Sequence, residues 1–193
     1  MRGRRLKCQS QESRLNIEKK RNQKGGRHLF RMTKHKTPQN IIAISPAIPA
    51  DAPTIHDIQM RAFAEEGRLS ETTQIPPLME DFAALEEDIR TQTVLTARDG
   101  DRIVGSARGV LDGSECMIHR VSVEPSYQGR GIGVALVCAV EDAHPNVERF
   151  TLTTNTLVPG NVPFYERRGY HVTELTKHGD KIVLARMAKN RGK

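Results

Sequence analysis

The sequence predicts an α/β fold of the α+β kind, a mixed sheet flanked by helices. Two observations lead there. Strand-like and helix-like segments follow one another as β-α-α-β-β-β-α-β-α-β-β between residues 41 and 187. Neighbouring strand-like segments are joined at Asp99-Gly100, Asp112-Gly113 and Gly179-Asp180, dipeptides that tolerate the positive φ of a tight turn.

Each element has its own warrant. Ile41–Ser45 is a short strand, closed by Pro46. Asp51, between Pro49 and Pro53, is placed to cap a helix, because its carboxylate can accept from N–H groups that lack partners. Ile55, Ile58, Ala62 and Phe63 recur at helical spacing, with Gly67 as the expected stop. After a loop over 68–77, Leu78, Phe82, Leu85 and Ile89 form a second helical stripe. Thr93–Arg98, Arg102–Val110 and Cys116–Val123 read as strands. An apolar helix over 132–142 ends at His144-Pro145. Phe150–Thr154 is a strand, Val162–Arg168 a helix, and Tyr170–Leu175 with Lys181–Met187 a closing hairpin.

Composition narrows the class. The 193 residues are 37% apolar, with no apolar run near the ~18 residues of a membrane span. One soluble, cytoplasmic domain is expected. Three cysteines, Cys8, Cys116 and Cys138, form no C-x-x-C pair, which argues for a reducing compartment. Cys138 reads as a small core residue of its helix. The formal charge of +7 is unevenly spread: residues 1–37 carry 13 Lys/Arg against Glu12 and Glu18, whereas the remainder is mildly acidic. That basic arm has too little apolar surface to offset its ordering entropy and reads as disordered. Residues 1–31 are either a genuine tail or an extension ahead of a start at Met32. A folded domain over 38–189 follows, then a basic tail, 190–193.

The most informative segment is Gln128-Gly129-Arg130-Gly131-Ile132-Gly133, running into Val134-Ala135-Leu136-Val137. Glycines leading into an apolar helix bare the first backbone N–H groups, where the helix dipole favours an anion. The spacing is G-x-G-x-G, not the dinucleotide G-x-G-x-x-G, and no Lys-Ser or Lys-Thr pair follows as a P-loop requires. The segment Val121–Val134 resembles the pyrophosphate motif of the GNAT acetyltransferases, Arg/Gln-x-x-Gly-x-Gly/Ala after a V-x-V strand. Downstream, Asn161-Val-Pro-Phe-Tyr-Glu-Arg-Arg-Gly-Tyr170 is similar to the family's second signature, F-Y-E-x-x-G-F/Y. The resemblance runs from about Ile41 to Met187 and implies a mostly antiparallel sheet, splayed at the cofactor strand.

The resemblance also implies a chemistry: acetyl-CoA as donor, no metal, and direct attack by a primary amine in a ternary complex. The backbone of Gln128, Gly129, Arg130, Gly131, Ile132, Gly133 and Val134 would hold the pyrophosphate, with Arg130 adding charge. Val121, Ser122 and Val123 would pair with the pantetheine arm as if it were an added strand. Asn161 would cap the short helix and stand within reach of the cofactor. Tyr165 matches the family's general acid for the departing thiolate. An alkyl amine of pKa near ~10 is mostly charged at neutral pH, so a proton acceptor helps. Strict alternation puts Glu115, Met117 and His119 on the face of Val121 and Val123. Met117 stands where relatives carry a glutamate, leaving His119 and Glu115 as the candidate bases.

Residues 51–90 hold ten Asp/Glu against three Arg. The resemblance assigns this region to the acceptor groove, where acidic groups would attract a cationic amine, small molecule or peptide. Two solvated acidic helix faces would give the same count. A non-catalytic acyl-CoA-binding module of the same fold is the alternative function. Nucleic acid is expected only through the basic arm; a membrane partner is not expected, and a homodimer is left open.

Overall fold

A computed structural model describes residues 42–179 and 181–192. The expectations for the basic arm, for a start at Met32 and for Ile41, Asp180 and Lys193 lie outside the described residues.

The strands are β1 (Ile42–Pro46), β2 (Thr93–Asp99), β3 (Arg102–Asp112), β4 (Glu115–Val123), β5 (Arg149–Asn155), β6 (His171–His178) and β7 (Ile182–Asn190). They form one sheet in the order β1-β2-β3-β4-β5-β7-β6. Every neighbouring pair is antiparallel except β4 with β5. The helices are α1 (Ala52–Leu69), α2 (Pro76–Met79), α3 (Phe82–Thr91), α4 (Ile132–Ala143) and α5 (Asn161–Glu166). The mixed sheet is present and the strands follow in the expected order, with three helices rather than two between β1 and β2. Among the described residues no helix is long and apolar enough to cross a membrane.

The alternation of β3 sorts helices to the two faces. Gly105 and Gly109 turn toward α4: a Cβ on Gly105 would lie 2.8 Å from the Ser122 carbonyl oxygen, and one on Gly109 2.6 Å from Val140. Both glycines let α4 approach the sheet closely. Ile118, Leu136, Val137, Val140, Phe150 and Met187 fill that layer. Arg108 turns the other way, toward α1 and α3, where Ala52, Ile55, Leu85 and Val94 make a smaller core.

Arg108 is fully buried and ionically matched. It donates to Glu80 at 2.6 and 3.0 Å, to Asp88 at 2.6 Å and to the Gln59 side-chain oxygen at 2.8 Å. Arg120 donates to Glu80 at 3.1 Å. Burial pushes the Glu80 carboxyl up, but the hydrogen bond and charge of Arg108, then Gln59 and Arg120, outweigh it and hold the group below the ordinary carboxylate range.

This cluster explains one departure from the sequence reading. The stripe Leu78–Ile89 is two helices, α2 and α3, because the chain breaks helical geometry at Glu80 and Asp81. Asp81 caps α3 by accepting from Ala84 N–H at 2.7 Å. Gly67 does not end α1, which runs on to Leu69. It is a packing position instead: a Cβ there would stand 2.8 Å from Leu78 and 3.2 Å from the Thr72 carbonyl oxygen. Asp51 precedes α1 as expected, yet its carboxylate accepts from Ile48 N–H and Arg98 rather than from the helix. Cys138 is only half-buried; the buried line of α4 is Ile132, Leu136, Val137 and Val140.

Candidate active site

The parallel pair β4–β5 is short, and the site follows from that. The two strands pair only at Glu115–Met117 with Arg149–Thr151. Beyond this point β4 stays with β3 as far as Val123, while β5 stays with β7 as far as Asn155. The strands diverge into a fork whose inner edges carry backbone N–H and C=O groups without a strand partner among the described residues, the kind of edge that accepts an extended, amide-bearing chain.

The glycine loop closes one side of the fork. A turn over Pro125–Tyr127 leads from β4 to α4, with Gly129 at φ 74° and Gly131 at φ 81°. A side chain at either φ is strained. Gly131 is the residue before α4, and among the described residues no side chain caps the first N–H groups of that helix. The Ile132 side chain is buried in the core, so its contribution here is backbone. Gln128 donates to the Val123 carbonyl oxygen at 3.2 Å, tying loop to strand. Arg130 donates to the Ser126 carbonyl oxygen at 3.0 Å and lies 4.6 Å over the Tyr127 ring. The loop thus places the first N–H groups of α4 beside the Arg130 guanidinium.

The second motif touches the first. A Cβ on Gly133 would stand 3.4 Å from the Phe164 ring, so glycine lets α5 seat against the start of α4. Phe164 and Tyr165 meet edge to face at 4.8 Å, and Arg168 lies 3.6 Å over Phe164. Tyr165 is half-buried. Burial pushes its phenol up to about 12; Arg168 pulls it down, and the carboxylate of Glu66 adds to the rise. Asn161 does not cap α5. Gly160, at φ 88°, occupies the cap position and turns the chain so that Asn161 is the first helical residue.

A bulge in β4 reassigns the candidate bases. Arg108 pairs with His119 and Ser106 with Ser122, so Arg120 and Val121 together oppose Ala107, with Arg120 at φ 52°. The extra residue reverses the alternation. His119 and Ser122 therefore share the α1–α3 face with Arg108 and Ser106, while Val121 and Val123 pack against the α4-side core. The expected face shared by Glu115, Met117, His119, Val121 and Val123 does not exist.

His119 binds the Gln92 side-chain oxygen at 3.2 Å, and burial, followed by the charges of Arg108 and Arg120, lowers it to about 4. Such a group is a poor match to an amine proton. Glu115 lies at the closed end of the fork, ion-paired with Arg149 at 3.3 Å. Six residues along an extended strand put it roughly 20 Å from Val121. Neither is positioned as the base. Ser122 spends its hydroxyl on Ser106 at 3.0 Å, leaving its backbone for the fork.

The acidic count of 51–90 also resolves. Asp51, Glu65, Glu71, Glu80, Glu86, Glu87 and Asp88 are ion-paired with Arg or Lys. Asp57, Glu66 and Asp81 take part in no ion pair among the described residues; Asp57 and Asp81 are exposed and Glu66 is half-buried. Glu66 occupies the last turns of α1, seven residues after the buried Gln59 and four after Ala62, on the stripe turned to the sheet. Its carboxyl is raised by burial, with a hydrogen bond from Asn155 and then the charge of Arg120 lowering it. Asn155, buried at the end of β5, also donates to Ser70 at 3.0 Å and accepts from Leu157 N–H. The sequence carried a signal here: a carboxylate in phase with Ile55, Ile58 and Ala62.

A family model described as an acetyltransferase (GNAT) domain matches residues 61–191. Solved structures of the same fold include the PaiA N-acetyltransferase of Thermoplasma acidophilum in complex with coenzyme A, with 17% identity, TM-score 0.63, and 78% of this chain and 99% of that one covered. The ribosomal-protein-alanine N-acetyltransferase of Brucella melitensis aligns with 20% identity, TM-score 0.62, over 77% of this chain and 99% of that one. A GCN5-related N-acetyltransferase of Rhodopseudomonas palustris aligns with 21% identity, TM-score 0.63, over 78% and 96% respectively. No curated protein sequence matches.

Proposed function

This chain belongs to the GNAT acetyltransferase family, and from that premise we propose that it transfers the acetyl group of acetyl-CoA to a primary amine by direct attack. The observation that carries the reading is the β4–β5 fork, open beside the first N–H groups of α4 and flanked by α5, which packs on β5 and carries Tyr165. The backbone of Gly129 to Val134, with Arg130, holds the pyrophosphate. The pantetheine amides pair along Val121–Val123. Asn161, at the first position of α5, stands beside the same arm.

Attack of the neutral amine on the thioester carbonyl forms the C–N bond and concentrates charge on the carbonyl oxygen. Backbone N–H groups of the β4 bulge, already set in place, stabilise that oxyanion without reorganising. The C–S bond then breaks, and Tyr165 O–H gives its proton to the CoA thiolate. At neutral pH the phenol is fully protonated, as an acid must be before it acts.

Thiol release from acetyl-CoA, followed across polyamines, lysine-containing peptides and peptide N-termini, tests the reading. Amine-dependent release with at least one class is expected. Firm CoA binding without release from any class would favour the acyl-CoA-binding module instead.

A further inference from the structure

We infer that Glu80, at the α2–α3 junction, is a positioning residue: through its ion pair with Arg120 it holds the β4 bulge whose backbone N–H groups meet the thioester carbonyl. The inference rests on the acetyl-transfer reading above and names what keeps its oxyanion donors in place.

The bulge needs holding. Arg120 and Val121 together oppose Ala107, so one residue stands outside the β3 ladder. Arg120 sits at φ 52°, a left-handed conformation that a long side chain seldom adopts. Among the described residues the other non-glycine with positive φ is Glu71. Such a backbone persists where its surroundings over-determine it.

Here the surroundings converge on one carboxylate. Arg120 Nε donates to Glu80 Oε1 at 3.1 Å, and that oxygen also accepts from Arg108 at 3.0 Å. Glu80 Oε2 accepts from Arg108 at 2.6 Å and from the Gln59 amide at 3.0 Å. Gln59 is fixed in turn, donating to the Pro77 carbonyl oxygen at 2.9 Å. The carboxylate is thus tied to β3 through Arg108 and to α1 through Gln59 before it reaches Arg120. Its side chain is 9% exposed and that of Arg120 20%, so solvent and salt screen the pair poorly.

The residues flanking Arg120 are anchored on the same side. His119 binds Gln92, whose amide donates to Asp88 at 2.6 Å, and Asp88 accepts from Arg108 at 2.6 Å. Ser122 meets Ser106 at 3.0 Å. Of residues 119–122, three are therefore held by their side chains on the α1–α3 face, while Val121 packs against the α4-side core. Donors held in this way stabilise a developing oxyanion without reorganising. With both oxygens engaged, Glu80 acts on the reaction through Arg120.

Two variants break the tether from opposite ends. Glu80→Gln removes the charge at nearly the same shape. Arg120→Asn removes the guanidinium and leaves a residue that tolerates positive φ. With an amine that supports turnover, each is expected to lose about 10²-fold in kcat, with CoA affinity within about twofold of wild type. The double variant should lose no more than either single one, because both act through one ion pair. Arg120→Lys should keep part of the rate. With carbonyl-labelled acetyl-CoA bound, the infrared thioester C=O stretch should lie below its solution value in the wild type. It should move back toward that value in both variants, a change that lost stability alone does not produce. If Glu80→Gln fails to fold, Arg120→Asn, with Arg108 and Glu80 still paired, carries the test. Turnover within about threefold of wild type, single losses that multiply in the double variant, or an unmoved carbonyl band would overturn the inference. Wild-type turnover with unaffected variants removes this inference alone. If no amine supports wild-type turnover, the amine reading fails, and the carbonyl band of bound acetyl-CoA still decides for or against the tether.

Discussion

Replacing Arg108 by methionine should be the most damaging single change outside the fork. The guanidinium is fully buried and bonded to Glu80, Asp88 and Gln59, and the Glu80 and Asp88 side chains are only 9% and 20% exposed. Methionine fills much of the volume but leaves both carboxylates without their main partner. Removing one member of a buried pair costs about 3–5 kcal/mol, against a total of about 5–15 kcal/mol for a domain.

The loss should depend on pH in a defined direction. In the wild type the Glu80 pKa is held below its unfolded value, so its contribution is present above the unfolded pKa and is lost as pH falls through the folded one. In Arg108→Met, desolvation, the largest single influence on Glu80, loses its chief opponent and raises the folded pKa. The contribution is then present below the unfolded pKa and lost as pH rises. The gap between wild type and variant should therefore widen from pH 4 to pH 7. Urea unfolding at both pH values measures it. A loss below about 1 kcal/mol, or one equal at the two pH values, would refute the reasoning. Adding Glu80→Gln should recover part of the loss, a non-additivity expected of groups in one network.

Tyr165→Phe should lower turnover by about 10²-fold or more while leaving CoA affinity intact, as read by thiol release alongside calorimetric titration. Gly131→Val forces a β-branched residue to φ 81° in front of α4, at about 1–3 kcal/mol of strain. CoA affinity should fall at least tenfold by titration, with any amine affected equally. Cys116 is buried and its thiol is raised to about 11, first by desolvation and then by Glu141. In a Cys8→Ser/Cys138→Ser background it should ignore a thiol reagent in native buffer and react fully in denaturant.

Much of the fold was legible because it rests on local physics. Asp99-Gly100 and Asp112-Gly113 turn the chain where positive φ is needed, with Gly100 at 59° and Gly113 at 57°. The apolar run after Gly131 is a helix at the expected place. The stripe at 78–89 misled because its apolar spacing continues across Glu80, and only the buried Arg108 explains why that residue leaves the helix. Gly67 looked like a terminator for want of any sign that Leu78 would pack against it.

The candidate site divides the same way. The amino-acid sequence by itself determined the donor side, since bare N–H groups at Gly129–Val134 and the aromatic helix at Phe164–Tyr165 depend on neighbours within a few residues. Tertiary structure alone decided which way the β4 side chains face and which carboxylates of 51–90 are ion-paired. One inserted residue at Arg120 reverses side-chain facing along β4, removing His119 from the face of Val121, and no periodicity rule foresees a bulge. Likewise seven of the ten carboxylates of 51–90 are ion-paired and Asp57, Glu66 and Asp81 are not, because ion pairing is set by which side chains the fold brings within reach.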